Sequence, residues 1–292
     1  MANATASPRV DRTIRLRDGR QMAYGEWGDL EGRPVVLLLH GNPGSRLFCP
    51  DEEATEAAGT RLLTIDRPGY GGSDPRPGSA LLDWPSDYIE LADQLDLPPC
   101  PVVGWSGGGR YALALGVRAP ERVTSIGLAA SPGPRDLVPG GMDELDDEDR
   151  TVVALLAVDR AAALAEIQRN CAWYTEEGVE AMFQGSWGEA DDRLLARPDI
   201  AEPMNAWLHE GARRGSAGFE ADILAAVSPW GFDVADVVQP TYVWCAASDV
   251  QVSQSHADYL AETIPRATLI SFPGEGHLFP ISHWADMLAV FY

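Results

Sequence analysis

Gly104-Trp105-Ser106-Gly107-Gly108 is the stretch whose residue types could carry covalent chemistry. Val102 and Val103 before it read as the end of a buried strand, and Arg110 to Arg118 after it as a helix. A serine at a sharp strand-to-helix turn takes strained backbone angles and needs glycine on both sides, so that the two elements approach without Cβ clashes. Gly104 and Gly108 meet that need. The turn also aims the first free N–H groups of the helix, and its positive end, at whatever the serine attacks, which favours a developing anion there. A hydroxyl is a poor nucleophile until a hydrogen-bonded base takes its proton, so the histidines matter next. Of His40, His209, His256, His277 and His283, only His277 lies in a glycine loop just past a strand. His256 and His283 look like helix-start residues, and His40 shapes the loop after the third strand.

Residues so far apart in the chain need a scaffold. Two short runs joined by Arg17-Asp18-Gly19-Arg20 read as a hairpin, because Asp-Gly supplies the positive φ of such a turn. Pro34 to Leu39 is continuously apolar, as a strand covered on both faces must be. A helix is expected over Leu47 to Ala58, a strand over Arg61 to Ile65, and a helix ending near Leu95. Strands follow at Pro101 to Val103 and Val123 to Ala129. This alternation predicts an α/β fold: a mostly parallel, doubly wound, eight-stranded sheet. From Pro132 to about Val238 no buried strand is convincing, and helices are expected near Glu148 to Asn170, Val179 to Phe183, Asp191 to Ala196, Ile200 to Arg213 and Gly218 to Val227. The expected organisation is therefore a core over 1–131 and 239–292 and an inserted helical cap over 132–238. Alternation resumes with strands at Thr241 to Ala246 and Thr268 to Phe272, and with helices at His256 to Thr263 and Ser282 to Phe291.

Composition narrows the function classes. The 292 residues include 44 acidic against 22 basic ones, a net charge of −22 that opposes binding to nucleic acid or anionic membrane. All the basic residues are arginine, which excludes a Schiff-base or P-loop lysine. Cys49, Cys100, Cys171 and Cys245 have no metal-type spacing and read as free thiols. The first ten residues lack a signal-peptide pattern and no stretch approaches ~20 apolar residues, so the expectation is a cytoplasmic protein acting on a small molecule, with no metal and no cofactor.

Ligands of open α/β sheets sit beyond the carboxyl ends of the strands. His40-Gly41-Asn42 follows the third strand, Ser106 the fifth, Asp249 the seventh and His277 the eighth. With Asp66-Arg67-Pro68-Gly69-Tyr70-Gly71-Gly72-Ser73, Ser248-Asp249-Val250-Gln251-Val252 and Gly274-Glu275-Gly276-His277, these motifs make the sequence resemble the α/β-hydrolase family, specifically its lidded serine hydrolases, from Thr13 to the end. Ser253 and Arg110 depart from the pattern: relatives often have proline after the acid, and a small residue or proline after the glycine run.

The resemblance implies Ser106 as nucleophile, His277 as general base and then acid, and Asp249 as the group that orients the imidazole. It places the oxyanion donors at the backbone N–H groups of Asn42 and Gly107. Asp233 and Asp236 are the alternative acids. Trp105 beside the serine, with Trp173, Trp187 and Trp207 among the aromatics of the cap, argues for a partly covered apolar pocket that takes a hydrophobic acyl or alcohol group. The acidic run from Asp143 to Asp149 reads as a solvated edge of the cap that would disfavour anionic substrates if it lined the entrance. The activity implied is hydrolysis of a carboxylic ester or lactone through an acyl-enzyme. The alternatives are cleavage of amide, aminoacyl or carbon–carbon bonds, or a non-hydrolytic ligand-binding or biosynthetic role.

Overall fold

A computed structural model describes residues 8–172 and 187–292. The five residues Val35–Leu39 (β3) show why the sheet forms: Val35, Leu37 and Leu39 face one apolar cluster, Val36 and Leu38 the other, and all five are buried. Alternation on a strand with both faces covered gives an unbroken apolar run. The remaining strands are β1 (Val10–Arg15), β2 (Gln21–Gly28), β4 (Arg61–Ile65), β5 (Cys100–Trp105), β6 (Val123–Ala129), β7 (Thr241–Ala246) and β8 (Ala267–Phe272), in the spatial order β1-β2-β4-β3-β5-β6-β7-β8. β1 and β2 pair antiparallel through the turn at Gly19, whose φ is +91°, and β2 pairs antiparallel with β4. Every other pairing is parallel.

Helices cover both faces. α2 (Trp84–Gln94) and α3 (Gly108–Arg118) bury Trp84, Tyr88, Leu91, Leu113 and Leu115 in the first cluster. α1 (Glu52–Ala57) packs on the other face beside the closing helix, which carries Trp284 and Leu288. The expected helix from Leu47 shortens to α1 for a local reason. Pro50 disfavours helical angles at Cys49, and the Asp51 side chain caps the first turn by accepting the Ala54 N–H at 2.9 Å.

Between β6 and β7 lie α4 (Asp147–Leu156), α5 (Arg160–Asn170), α6 (Glu189–Leu195), α7 (Pro198–Ala212) and α8 (Ala217–Val227). The helix expected at Val179 to Phe183, and Trp173 with it, lies outside the described residues. Val152, Ile167, Trp187, Ile200, Met204, Trp207 and Phe219 from this stretch join the cluster that holds Val36, Leu38, Val103 and Trp105. The stretch is thereby seated above the end of β5, with the Trp207 ring 5.4 Å from Trp105 and Phe48 stacked on Trp105 at 4.4 Å. α9 (Gln254–Thr263) and α10 (Phe279–Ala289) complete the chain; α10 begins at Phe279 rather than Ser282, with Pro280 in its first turn. Among the described residues, no helix is long and apolar enough to cross a membrane.

Candidate active site

Ser106 is held in the left-handed region at φ +52° between β5 and α3. Its N–H donates to Ala129 O at 2.8 Å and its carbonyl accepts the Gly109 N–H at 3.0 Å. The glycines are there for space. A Cβ on Gly104 would lie 2.5 Å from Gly109 Cα, and one on Gly108 would lie 2.3 Å from Leu39 O. A Cβ on Gly107 would stand 1.5 Å from Asn42 Oδ1, so the Asn42 side chain lies against that Cα. Neither the Asn42 nor the Gly107 N–H is committed to a backbone acceptor among the described residues.

The loop after β8 brings His277 to the cavity that Ser106 lines. Its Nδ1 is 2.8 Å from Asp249 Oδ2, and the side chains are 4% and 1% exposed. The other oxygen of Asp249 accepts the N–H groups of Gln251 (2.8 Å) and Val252 (3.0 Å), which fixes the carboxylate after β7. Asp233, one of the alternative acids, caps a short 3₁₀ turn by accepting the Ala235 N–H. The imidazole lies between Trp105 (ring centroids 5.6 Å apart) and Trp187 (5.8 Å), and Trp105 Nε1 donates to His277 O at 3.2 Å.

Two buried carboxylates from the stretch between β6 and β7 hold this arrangement. Asp191 on α6 accepts the N–H of His277 at 2.7 Å and that of Leu278 at 2.8 Å; a Cβ on Gly276 would meet it at 2.4 Å. Burial pushes its pKa up, while the two N–H donors pull it back. Asp222 on α8 takes Arg67 Nη2 (2.5 Å) and Tyr70 Oη (2.6 Å) on one oxygen and Tyr111 Oη (2.6 Å) on the other. Arg67 in turn donates to the carbonyls of His40 and Gly41, which ties the loop after β3 to α8. His40 serves that loop and not proton transfer: its ring is buried, Nε2 accepts the Arg67 N–H at 3.3 Å, and burial, aided by the Arg67 charge, pushes its pKa well down.

Ser106, His277, Asn42 and Gly107 line one cavity of about 280 Å³, together with Trp105, Trp187 and Trp207. Trp173 lies outside the described residues. The expectation of an apolar pocket needs correction, because Arg110, Arg135, Asp146, Glu148 and Asp149 also line it. The acidic run is only partly a solvated edge: Asp147 is open to solvent, while Asp146, capping α4, and Asp149 turn to the cavity. Nothing in the local pattern distinguished Asp191 or Asp222 from the other acidic residues, whereas Arg110 was visible as a departure after the glycine run.

The four cysteines are free and buried, and burial pushes Cys171 up to about 12, so its thiol stays protonated. Among the described residues no three His, Cys, Asp or Glu side chains group as a metal centre requires.

A mostly parallel sheet with a left-handed serine after β5, a carboxylate after β7 and an imidazole after β8 defines a class of enzyme scaffold. The model of the alpha/beta hydrolase fold matches residues 34–283, and the chain belongs to that family. It is similar to a non-heme chloroperoxidase of Streptomyces lividans, 28% identical over 277 residues that cover 91% of this chain and 92% of that protein. It is likewise similar to a pimeloyl-(acyl-carrier protein) methyl ester esterase of Aromatoleum aromaticum, 28% identical over 271 residues, 87% and 95% of the two chains. The solved structure of an esterase from Exiguobacterium antarcticum shares the fold, with a TM-score of 0.71, 21% identity and coverage of 97% and 99%.

Proposed function

We propose that the protein is a serine hydrolase that cleaves a carboxylic ester or lactone through an acyl-enzyme on Ser106. The observation that carries this reading is the buried His277–Asp249 pair at 2.8 Å on the cavity that Ser106 lines. Asp249 accepts from Nδ1–H of the neutral ring, which leaves the Nε2 lone pair free to take the Ser106 proton as the Oγ–carbonyl carbon bond forms. The Asp249 charge then stabilises the imidazolium, and the N–H groups of Asn42 and Gly107 receive the oxyanion. Return of the proton from Nε2 to the leaving alcohol frees it, and water repeats the sequence to release the acid. The turn geometry supports the role of Ser106, since a left-handed φ at a non-glycine residue costs of order 1–3 kcal/mol and persists where the surroundings enforce it.

The helices between β6 and β7 act in this reading as a lid over residues 132–238, and the substrate is a small molecule that enters beneath it. A fluorophosphonate probe should label Ser106 stoichiometrically in the native protein. Short p-nitrophenyl esters should be hydrolysed, and Ser106→Ala should abolish both labelling and turnover without lowering Tm. Turnover retained by Ser106→Ala sinks the reading.

A further inference from the structure

Arg110 lies in the first turn of α3, which begins two residues after Ser106, and both residues line the same cavity. Its side chain lines the cavity, yet the residue is only 3% exposed. Nη1 donates to a neutral acceptor, Asp222 O, at 2.8 Å, and Nε–H has no acceptor among the described residues. The Asp222 carboxylate is already taken by Arg67, Tyr70 and Tyr111. Burial pushes the Arg110 pKa down; Asp222 opposes the fall, and Arg67 and Arg135 add to it. Trp207, which also lines the cavity, has a buried Nε1–H without an acceptor among the described residues.

A buried guanidinium with an unmet donor and no carboxylate in contact is unfavourable by itself, and it becomes favourable when a ligand brings an anion. Resting on the reading of Ser106 as nucleophile, we infer that Arg110 anchors a carboxylate on the acyl part of the substrate, so that the bond cleaved belongs to a half-ester or lactone of a short dicarboxylic acid. The shared cavity of about 280 Å³ limits the spacing between the carboxylate and the reacting carbonyl. Of the acidic residues on the cavity, half-buried Asp149 lies within electrostatic reach of Arg110 without a hydrogen bond to it, and Asp146 and Glu148 act on it less. Both are exposed at the rim, where water and salt screen them, whereas the guanidinium is desolvated. A planar donor fork suits carboxylate in particular.

Two measurements test the assignment. Glutarate and its neutral isostere glutaramide are titrated into Ser106→Ala protein, and kcat/KM is compared for the p-nitrophenyl half-ester of glutarate and for p-nitrophenyl valerate. Glutarate should bind at least ~10-fold tighter than glutaramide, and Arg110→Gln should remove that difference. The half-ester should be preferred at least ~10-fold by the wild type, with the preference lost through KM in Arg110→Gln. Equal binding of glutarate and glutaramide by the Ser106→Ala protein overturns the inference even if Arg110→Gln fails to fold, as does tighter binding of a cationic amine ester. Glutarate binding that depends on Arg110, without turnover of either ester, leaves the carboxylate site standing and removes the hydrolase reading. Turnover of both esters without acid preference does the reverse.

Discussion

The carboxylate of Asp191, on α6, accepts the backbone N–H of His277 at 2.7 Å. The loop that carries the imidazole is thus anchored to the helical stretch above it as well as to β8. Asp191 is fully buried and its second oxygen accepts the Leu278 N–H, so both acceptor sites are directed at one turn of chain.

Asp191→Asn tests this anchor. An amide keeps one acceptor and turns an NH2 toward a main-chain donor, leaving a buried N–H unmet at about 1–3 kcal/mol. Displacement of the imidazole should lower kcat about 10- to 100-fold with little change in KM, because a catalytic group misplaced by an ångström loses roughly that much. Steady-state kinetics with a p-nitrophenyl ester checks it. A variant with lowered Tm but unchanged kcat shows that Asp191 only stabilises the fold.

Gly107 and Asn42 should behave as a coupled pair. The methyl of Gly107→Ala would occupy the position of Asn42 Oδ1, forcing the loop after β3 away from the turn. We expect lower Tm and a loss of ~10²- to 10³-fold in kcat, the usual effect of removing one oxyanion donor. Asn42→Ala keeps its backbone N–H and clears the space, so Gly107→Ala/Asn42→Ala should regain much of the lost Tm. A double variant no more stable than Gly107→Ala would show that the two residues do not compete for that space.

Much of this architecture was legible in the sequence. The apolar run at β3, the glycine-flanked serine and the chain order of Ser106, Asp249 and His277 are local patterns, and the structure sets them at the ends of β5, β7 and β8. Asp191 and Asp222 were not legible. They sit among 44 acidic residues, and only tertiary folding turns these two inward onto donors. The charged lining escaped for a related reason: aromatic content says that a pocket can be apolar, but not which arginine comes to line it. Arg110 follows three consecutive glycines, and the close approach they permit carries α3 and its guanidinium under α8.

Asp222 carries the link between α8 and the core. Asp222→Asn would leave the Arg67 guanidinium buried beside a neutral amide, and breaking such a pair typically costs about 3–5 kcal/mol. Tyr111→Phe removes one hydrogen bond to the same charged carboxylate, worth about 1.5–3 kcal/mol. Thermal unfolding should therefore show a larger fall in Tm for Asp222→Asn than for Tyr111→Phe. Equal shifts would mean that the Arg67 charge is met by other groups.

Asp149 gives the stability of the protein a pH dependence of definite sign. Burial, and then repulsion from Asp146, push its carboxyl from the ordinary 3.8 up to about 6, with Arg135 acting the other way. Between pH ~4 and ~6 the folded chain holds a proton that the unfolded chain has released, so this group's contribution to stability falls as pH rises through that window and is level above it. Its position in the first turn of α4 favours negative charge by up to ~1 kcal/mol, against the burial effect. If burial dominates, Asp149→Asn should stabilise the protein at pH 7.5 by about 1 kcal/mol once solvent screening at this half-buried site is allowed for. That corresponds to a rise in Tm of ~2–4 °C. The advantage should shrink below pH 6 and vanish below about pH 4, where the wild-type carboxyl is neutral in both states. Melting curves of the two proteins from pH 4 to 8 decide it: a gap that does not change with pH, or a variant less stable at pH 7.5, means that the helix end and Arg135 outweigh burial.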